Sequence, residues 1–163
     1  MRKQKGFSLI ELLIVVAIIP IIAAIAIPNL LRARIAANES SAASGIRTIN
    51  TAEVAYFSSY QTYSKDLVSL GPGGPTAVCP NPPVPATACL IDGVLAAAST
   101  VATAKSGYVY TAAGTNIGYQ AQTNPASPGQ TGVKSFCSVE DAVVRFDPST
   151  AIATCAVTYA PLQ

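Results

Sequence analysis

The side chains able to do chemistry in this chain are few and unevenly placed. Near the start the order is Lys5-Gly6-Phe7-Ser8-Leu9-Ile10-Glu11-Leu12-Leu13, which sets a carboxylate in the first turns of an apolar run. An ionisable group in such a run is costly and is by default there for a purpose; the bland alternative is a carboxylate snorkelling at a membrane edge. Farther on stand Cys79, Cys89, Cys137 and Cys155, with no Cys-x-x-Cys pair and no histidine in the chain. Zinc sites usually draw on close Cys or His pairs. Ser-His-Asp and Cys-His nucleophiles both need a histidine. Four cysteines on an exported segment read instead as two disulfides. Three pairings can be drawn, and Cys79–Cys89 with Cys137–Cys155 is favoured because each closes a short local loop. Glu140, Asp141 and Asp147 lack EF-hand spacing and read as solvated turns rather than a calcium site. Gly71–Gly74 lacks the Lys-Ser/Thr of a phosphate loop and reads as a turn. No catalytic residue, metal or cofactor is expected, and the chain is not expected to be an enzyme.

The elements that must position these groups begin with that apolar run. Leu12–Leu31 is free of formal charge, and only Pro20, Pro28 and Asn29 interrupt its apolar character. As a helix it would span about 30 Å, the thickness of a bilayer's hydrocarbon core. Arg2, Lys3 and Lys5 precede it, which places the N-terminus in the cytoplasm and the remainder across the membrane. Without those three the chain has seven basic against eight acidic side chains, which gives no electrostatic footprint for nucleic acid. A secretory signal peptide cut near Ala26 is the competing reading; the length of the run and Glu11 within it argue against that.

Helical spacing continues beyond the apolar run. Ala42, Ile46, Ile49, Tyr56, Tyr60 and Tyr63 recur every three or four residues, with Glu53 in the one gap. One helix is therefore expected from about Phe7 to about Tyr60. Gly45 with Ser40, Ser41 and Ser44 makes a small-residue patch suited to close packing. Tyr56, Phe57, Tyr60 and Tyr63 could be cast as an electron-hopping path, but packing of helix on sheet suits tyrosines better. Leu70–Cys89 holds six of the twelve prolines, so a Pro-rich loop is expected over 69–88. Strand patterns follow at Tyr108–Ala112 and Ile117–Gln122 around Gly114-Thr115-Asn116, then at Val133–Val139, Ala142–Asp147 and, after a Pro148-Ser149 turn, Ala151–Val157. The fold class is α+β: a long N-terminal helix packed on an antiparallel sheet of four to five strands within 107–158.

Lys5-Gly6-Phe7 with Glu11, the apolar run and Ile27-Pro28-Asn29-Leu30 closely resembles the N-terminus of type IV pilins. The resemblance is carried by residues 5–35 and beyond them by architecture. It implies a leader, 1–6, cut after Gly6 by a membrane peptidase that then methylates the amine of Phe7. It implies assembly roles for Phe7 and Glu11 between subunits, a membrane and filament-core segment over 7–31, and a globular domain over 32–163. Pro28 matches the family's helix-kinking proline, whereas Pro20 stands where glycine is usual. Both are expected to break the helix, leaving the carbonyls of Val16 and Ala24 without helical partners. The implied partners are other copies in a homo-oligomeric filament, the prepilin peptidase and methyltransferase, an assembly machine with its ATPase, and the inner membrane. The implied precursor crosses the inner membrane once with its C-terminus outside the cytoplasm, and the assembled subunit is extracellular. Adhesion, twitching motility and DNA uptake are the functions such filaments serve. A type II secretion pseudopilin and a minor pilin are the alternatives.

Overall fold

The computed structural model describes residues 6–148 and 151–162. Arg2, Lys3 and Lys5 of the expected leader, and Ser149 of the expected turn, lie outside the described residues. The chain divides into two compact units, through Arg34 and from Ile35.

Helix α1 runs Leu9–Tyr60 and contributes to both. Its start, two residues later than expected, follows from a side-chain bond described below. In the first unit the helix is apolar all round and long enough to cross a membrane. Its large side chains from Leu9 to Leu31 are exposed. Pro20 and Pro28 both lie inside α1, and the helix is continuous through each. Proline removes one i→i−4 bond at its own position; in the isolated chain the bonds on either side hold the turn.

In the second unit α1 becomes one-sided. Ala42, Ala43, Ile46, Ile49, Ala52 and Tyr56 are buried, while Arg47, Thr48, Thr51 and Val54 stay exposed. The helix ends where Gln61 takes a left-handed φ of 58° and donates its N–H to the Phe57 carbonyl at 2.9 Å, a helix-terminating arrangement. Two one-turn helices follow, α2 at Leu67–Leu70 and α3 at Gly93–Ala96. Each is capped by an aspartate: Asp66 Oδ1 accepts from the Ser69 amide, and Asp92 Oδ1 from the Leu95 amide, both at 2.8 Å.

Five antiparallel strands follow in sequence order, β1 Tyr108–Gly114, β2 Tyr119–Pro125, β3 Ser135–Val139, β4 Arg145–Asp147 and β5 Ala160–Pro161. Tyr108, Tyr110, Ala112, Tyr119, Ala121 and Phe136 meet the buried face of α1 in one apolar core. Four strand expectations need correction. The β1–β2 ladder closes at Gly114 and Tyr119, which leaves Ile117 in the turn at 92% exposure. Val133 and Lys134 lie ahead of β3 because their amides are given to Glu39 Oε1 of α1, at 3.0 and 3.2 Å. Ala142 has φ 57° in the turn before β4, where Asp141 Oδ1 accepts from the Val143 amide. Around Ile152 no strand forms: Asn124 takes its N–H at 2.7 Å and its carbonyl at 3.0 Å, so the last strand comes later, at Ala160–Pro161.

Gly45 is a point of close packing, and its neighbour is the sheet. A Cβ there would stand 2.6 Å from Cε1 of the buried Tyr110 ring, so glycine is what lets α1 come this close to β1. We expect Gly45→Ala to lower stability by about 1–3 kcal/mol, because overpacking outweighs the gain of roughly 1 kcal/mol in helix propensity. Thermal unfolding of the detergent-solubilised full chain measures this; an unchanged or raised midpoint would refute the close-approach account.

Glu53 is fully buried. Its two oxygens accept from the Ser64 amide at 2.9 Å and from the Ser64 hydroxyl, clasping the chain that leaves α1. Burial pushes its pKa above the ordinary 4.5, against the opposing pull of those two bonds. The folded state therefore holds the proton more tightly than the unfolded state. Stability from this group is complete below pH 4.5 and is lost as pH rises through the folded-state value. Glu53→Gln can keep both contacts without a charge. We expect its stability relative to wild type to rise from acid to neutral pH, whereas Glu53→Ala should cost about 2–4 kcal/mol in acid, by leaving a cavity and an unpaired Ser64 amide, and less as pH rises and the wild type loses this contribution. Denaturant unfolding between pH 3 and 8 tests both, and a flat Gln-minus-wild-type difference would refute the buried-acid reading.

Candidate functional site

Gly6 and Phe7 are presented rather than packed. Gly6 has nothing within 4 Å of where a Cβ would lie, and Phe7 is 80% exposed. Residues 6–8 are outside any helix or strand. The Gly6–Phe7 peptide is thus exposed and directly ahead of α1.

Glu11 sits in the first turn of α1 and reaches back, its Oε2 accepting from the Ser8 amide at 2.9 Å. The Ser8 carbonyl in turn receives the Leu12 amide at 3.3 Å. This is the reciprocal half of a capping box, with Ser8 as cap and the glutamate three residues on. A carboxylate there also meets the positive end of the helix dipole. The capping contact is an addition to the sequence reading, although Ser8-x-x-Glu11 is its signature. It makes Glu11 a local device first: the group that starts α1 is also the carboxyl that stands beside the apolar run.

Pro20 and Pro28 lie farther along the same apolar stretch, each exposed. The cysteines lie in the second unit, where Cys79 is bonded to Cys89 and Cys137 to Cys155. The first bond closes the Pro-rich loop, whose base is held by Ala88, Leu90 and Ile91 amides donating to the Ser69 and Leu70 carbonyls. The second ties β3 to the segment behind it, where Cys137, Ile152 and Cys155 form a small second core.

The acidic residues are dispersed by their partners. Asp141 is taken by Arg145, which donates from both terminal nitrogens. That guanidinium holds the Asp141 carboxyl below the usual range. Glu140 is exposed beside Gly118. The aromatic residues pack on one another: Phe57 to Tyr63 is 4.7 Å and Tyr63 to Tyr119 is 5.0 Å between ring centroids. Burial pushes the Tyr110 hydroxyl up to about 12 and also raises Tyr108 and Tyr119, so these phenols stay neutral in the working pH range.

Comparison with known proteins points the same way. Residues 1–27 match a family model described as the prokaryotic N-terminal methylation motif. The chain is 45% identical over 69 residues to the type IV major pilin protein PilA of Myxococcus xanthus, a match covering 42% of this chain and 31% of that protein. It is 46% identical over 74 residues to the type IV wide pilus major component PilA4 of Thermus thermophilus, covering 44% of this chain and 56% of that one. The matched stretch thus spans about a third of one relative's length and just over half of the other's. With an exposed Gly6–Phe7 junction, a glutamate closing the first turn, an uncovered apolar helix and an α+β fold behind it, the chain carries the prokaryotic N-terminal methylation motif and resembles type IV major pilins.

Proposed function

We propose that the chain is a precursor cut between Gly6 and Phe7, methylated on the new amine of Phe7, and built as a structural subunit into a type IV pilus filament. The observation that carries this is the apolar surface of α1 from Leu9 to Leu31, exposed on every side. Such a surface is stable in a bilayer or against copies of itself, not in water. In this reading 1–6 is the leader, 7–31 the membrane and filament-core segment, and 32–163 the globular domain. The precursor waits in the inner membrane with its globular part outside the cytoplasm. A membrane peptidase and methyltransferase mature it, and an ATPase-driven machine extracts it into an extracellular filament for adhesion, motility or DNA uptake. Both relatives are named as major components, which supports a main subunit over a minor pilin or a secretion pseudopilin.

Cleavage creates a positive amine at Phe7, four residues from Glu11. In a bundle of apolar helices, packing alone specifies register weakly and polar contacts must supply it. Glu11 of one subunit meeting the Phe7 amine of its neighbour neutralises both charges and fixes the axial step. Pro20 and Pro28 mark where α1 opens in the filament, since the carbonyls of Val16 and Ala24 already lack helical donors there.

The mature protein should begin at N-methylated Phe7, which N-terminal sequencing with mass spectrometry reads directly. A start near Ile27 would mean ordinary signal-peptidase release and would end the filament reading. Glu11→Ala and Glu11→Gln should both be cleaved normally while surface filaments fall sharply, and Glu11→Asp should be intermediate. The Gln variant separates the two roles of Glu11, since it can still accept from the Ser8 amide but carries no charge. Immunoblots of the processed subunit beside electron microscopy give both readouts. Normal filaments made of Glu11→Gln alone would assign the residue to capping and remove the charge pair.

A further inference from the structure

The exposed face of α1 in the second unit is unusual for a helix on a water-facing domain. From Thr48 to Ser59 its exposed side chains, such as Thr48, Thr51, Val54 and Ser59, include no charge. The hydroxyls of Thr48, Thr51 and Ser59 are each spent on the carbonyl four residues back, at 3.1 Å, so the two threonines offer methyl groups outward. Val54 is 58% exposed in the middle of the face. Beside it lies a groove of about 370 Å³ lined by Arg47, Asn50, Thr51, Val54 and Ala142. Asn50 in its wall is buried, and its Oδ1 has no hydrogen-bond partner among the described residues.

The charges of the same unit say what covers this face. Glu39 pairs with Lys134, Lys65 with Asp66, Asp92 with Lys105 and Asp141 with Arg145. Glu53 is buried on Ser64, and Asp147 is engaged as well. Among the described residues of the unit this leaves one cation and one anion whose side chains make neither an ion pair nor a hydrogen bond: Arg47, on the groove, and Glu140, on the turn after β3. Their signs are complementary, and they do not pair within the chain. A foreign partner would have to match an isolated positive charge on an otherwise uncharged face; a second copy already carries the matching negative one.

We propose that the Arg47 face of α1 docks a second copy of this chain, with Arg47 of one subunit pairing with Glu140 of another. This rests on the filament reading and adds to it the contact that orients the globular units. The pair would be removed from water as the neighbour covers Val54 and the threonine methyl groups, which is the condition under which an ion pair contributes to specificity as well as to encounter. A donor from the neighbour would satisfy Asn50 Oδ1.

Charge reversal in the full-length chain tests this in three arms. Arg47→Glu and Glu140→Arg should each lower the yield of sheared filaments by about tenfold or more, with processing unchanged and detergent-phase melting within a few degrees of wild type. Arg47→Gln and Glu140→Gln, which add no repulsion, should each weaken assembly less, and the two together no more than either alone. Co-expression of the two reversal variants is the deciding arm. The Arg47→Glu chain is negative at both positions and the Glu140→Arg chain is positive at both, so each can pair only with the other. Co-expression should restore filaments containing both chains, which an intramolecular role could not produce. Wild-type yield from the single reversals, or no recovery on co-expression, overturns the contact. Absence of filaments from the wild-type chain would instead overturn the filament reading, and the contact with it.

Discussion

The second unit is organised by how close α1 comes to β1. Tyr110 stands where a side chain at Gly45 would be, so the helix backbone rests directly on that ring. Tyr108, Tyr110 and Tyr119 then fill the interface in place of aliphatic side chains. Rings this deep bury large areas but carry hydroxyls with them. Tyr108 disposes of its own by donating to the Lys134 carbonyl at 2.7 Å, and Tyr56 donates to the Pro85 carbonyl at 2.9 Å. The second of these bonds reaches into the Pro-rich loop, so the packing of α1 also fixes a segment with little secondary structure of its own.

Long-range periodicity is readable in the sequence; local competition for backbone hydrogen bonds is not. The stripe Ala42, Ile46, Ile49, Tyr56 marks the buried face of α1 because helical spacing survives any detail of tertiary structure. Tyr63 sits on that same spacing yet lies past the helix end, and packing against Tyr119 keeps it on the core. The later strands depart from their sequence pattern where a side chain captures a strand's amides: Glu39 at Val133 and Lys134, Asp141 at Val143, Asn124 at Ile152. No propensity scale registers an acceptor that arrives from 94 residues away. Glu53 shows the converse, a charged residue in an apolar stripe that the fold keeps inside by supplying Ser64 as its partner.

Around the candidate site the chemistry is legible and the local mechanics are not. Gly6, Phe7 and Glu11 stand out by residue type and spacing alone. That Glu11 gives Oε2 to the Ser8 amide depends on which rotamer closes the first turn. The contact has a physical corollary. With Oε2 held by the Ser8 amide, Oε1 is the oxygen left to take a further donor, and the closed first turn fixes where that oxygen stands.

The Pro-rich loop is anchored where it begins and ends. Cys89 donates its amide to the Gly71 carbonyl at 3.4 Å, and the Cys79–Cys89 bond closes the second half of the loop covalently. Between these anchors Val78 is 89% exposed. Loop-closure entropy grows only with the logarithm of length, so doubling such a segment costs about 0.6 kcal/mol. The demand on residue identity falls at its ends, where a Cβ at Gly71 would meet Ala96 and where Ala88 is buried, and not at exposed positions such as Val78. An insertion beside Val78 would leave the anchoring bonds at Gly71 and Cys89 in place and present the added peptide on the surface of the second unit.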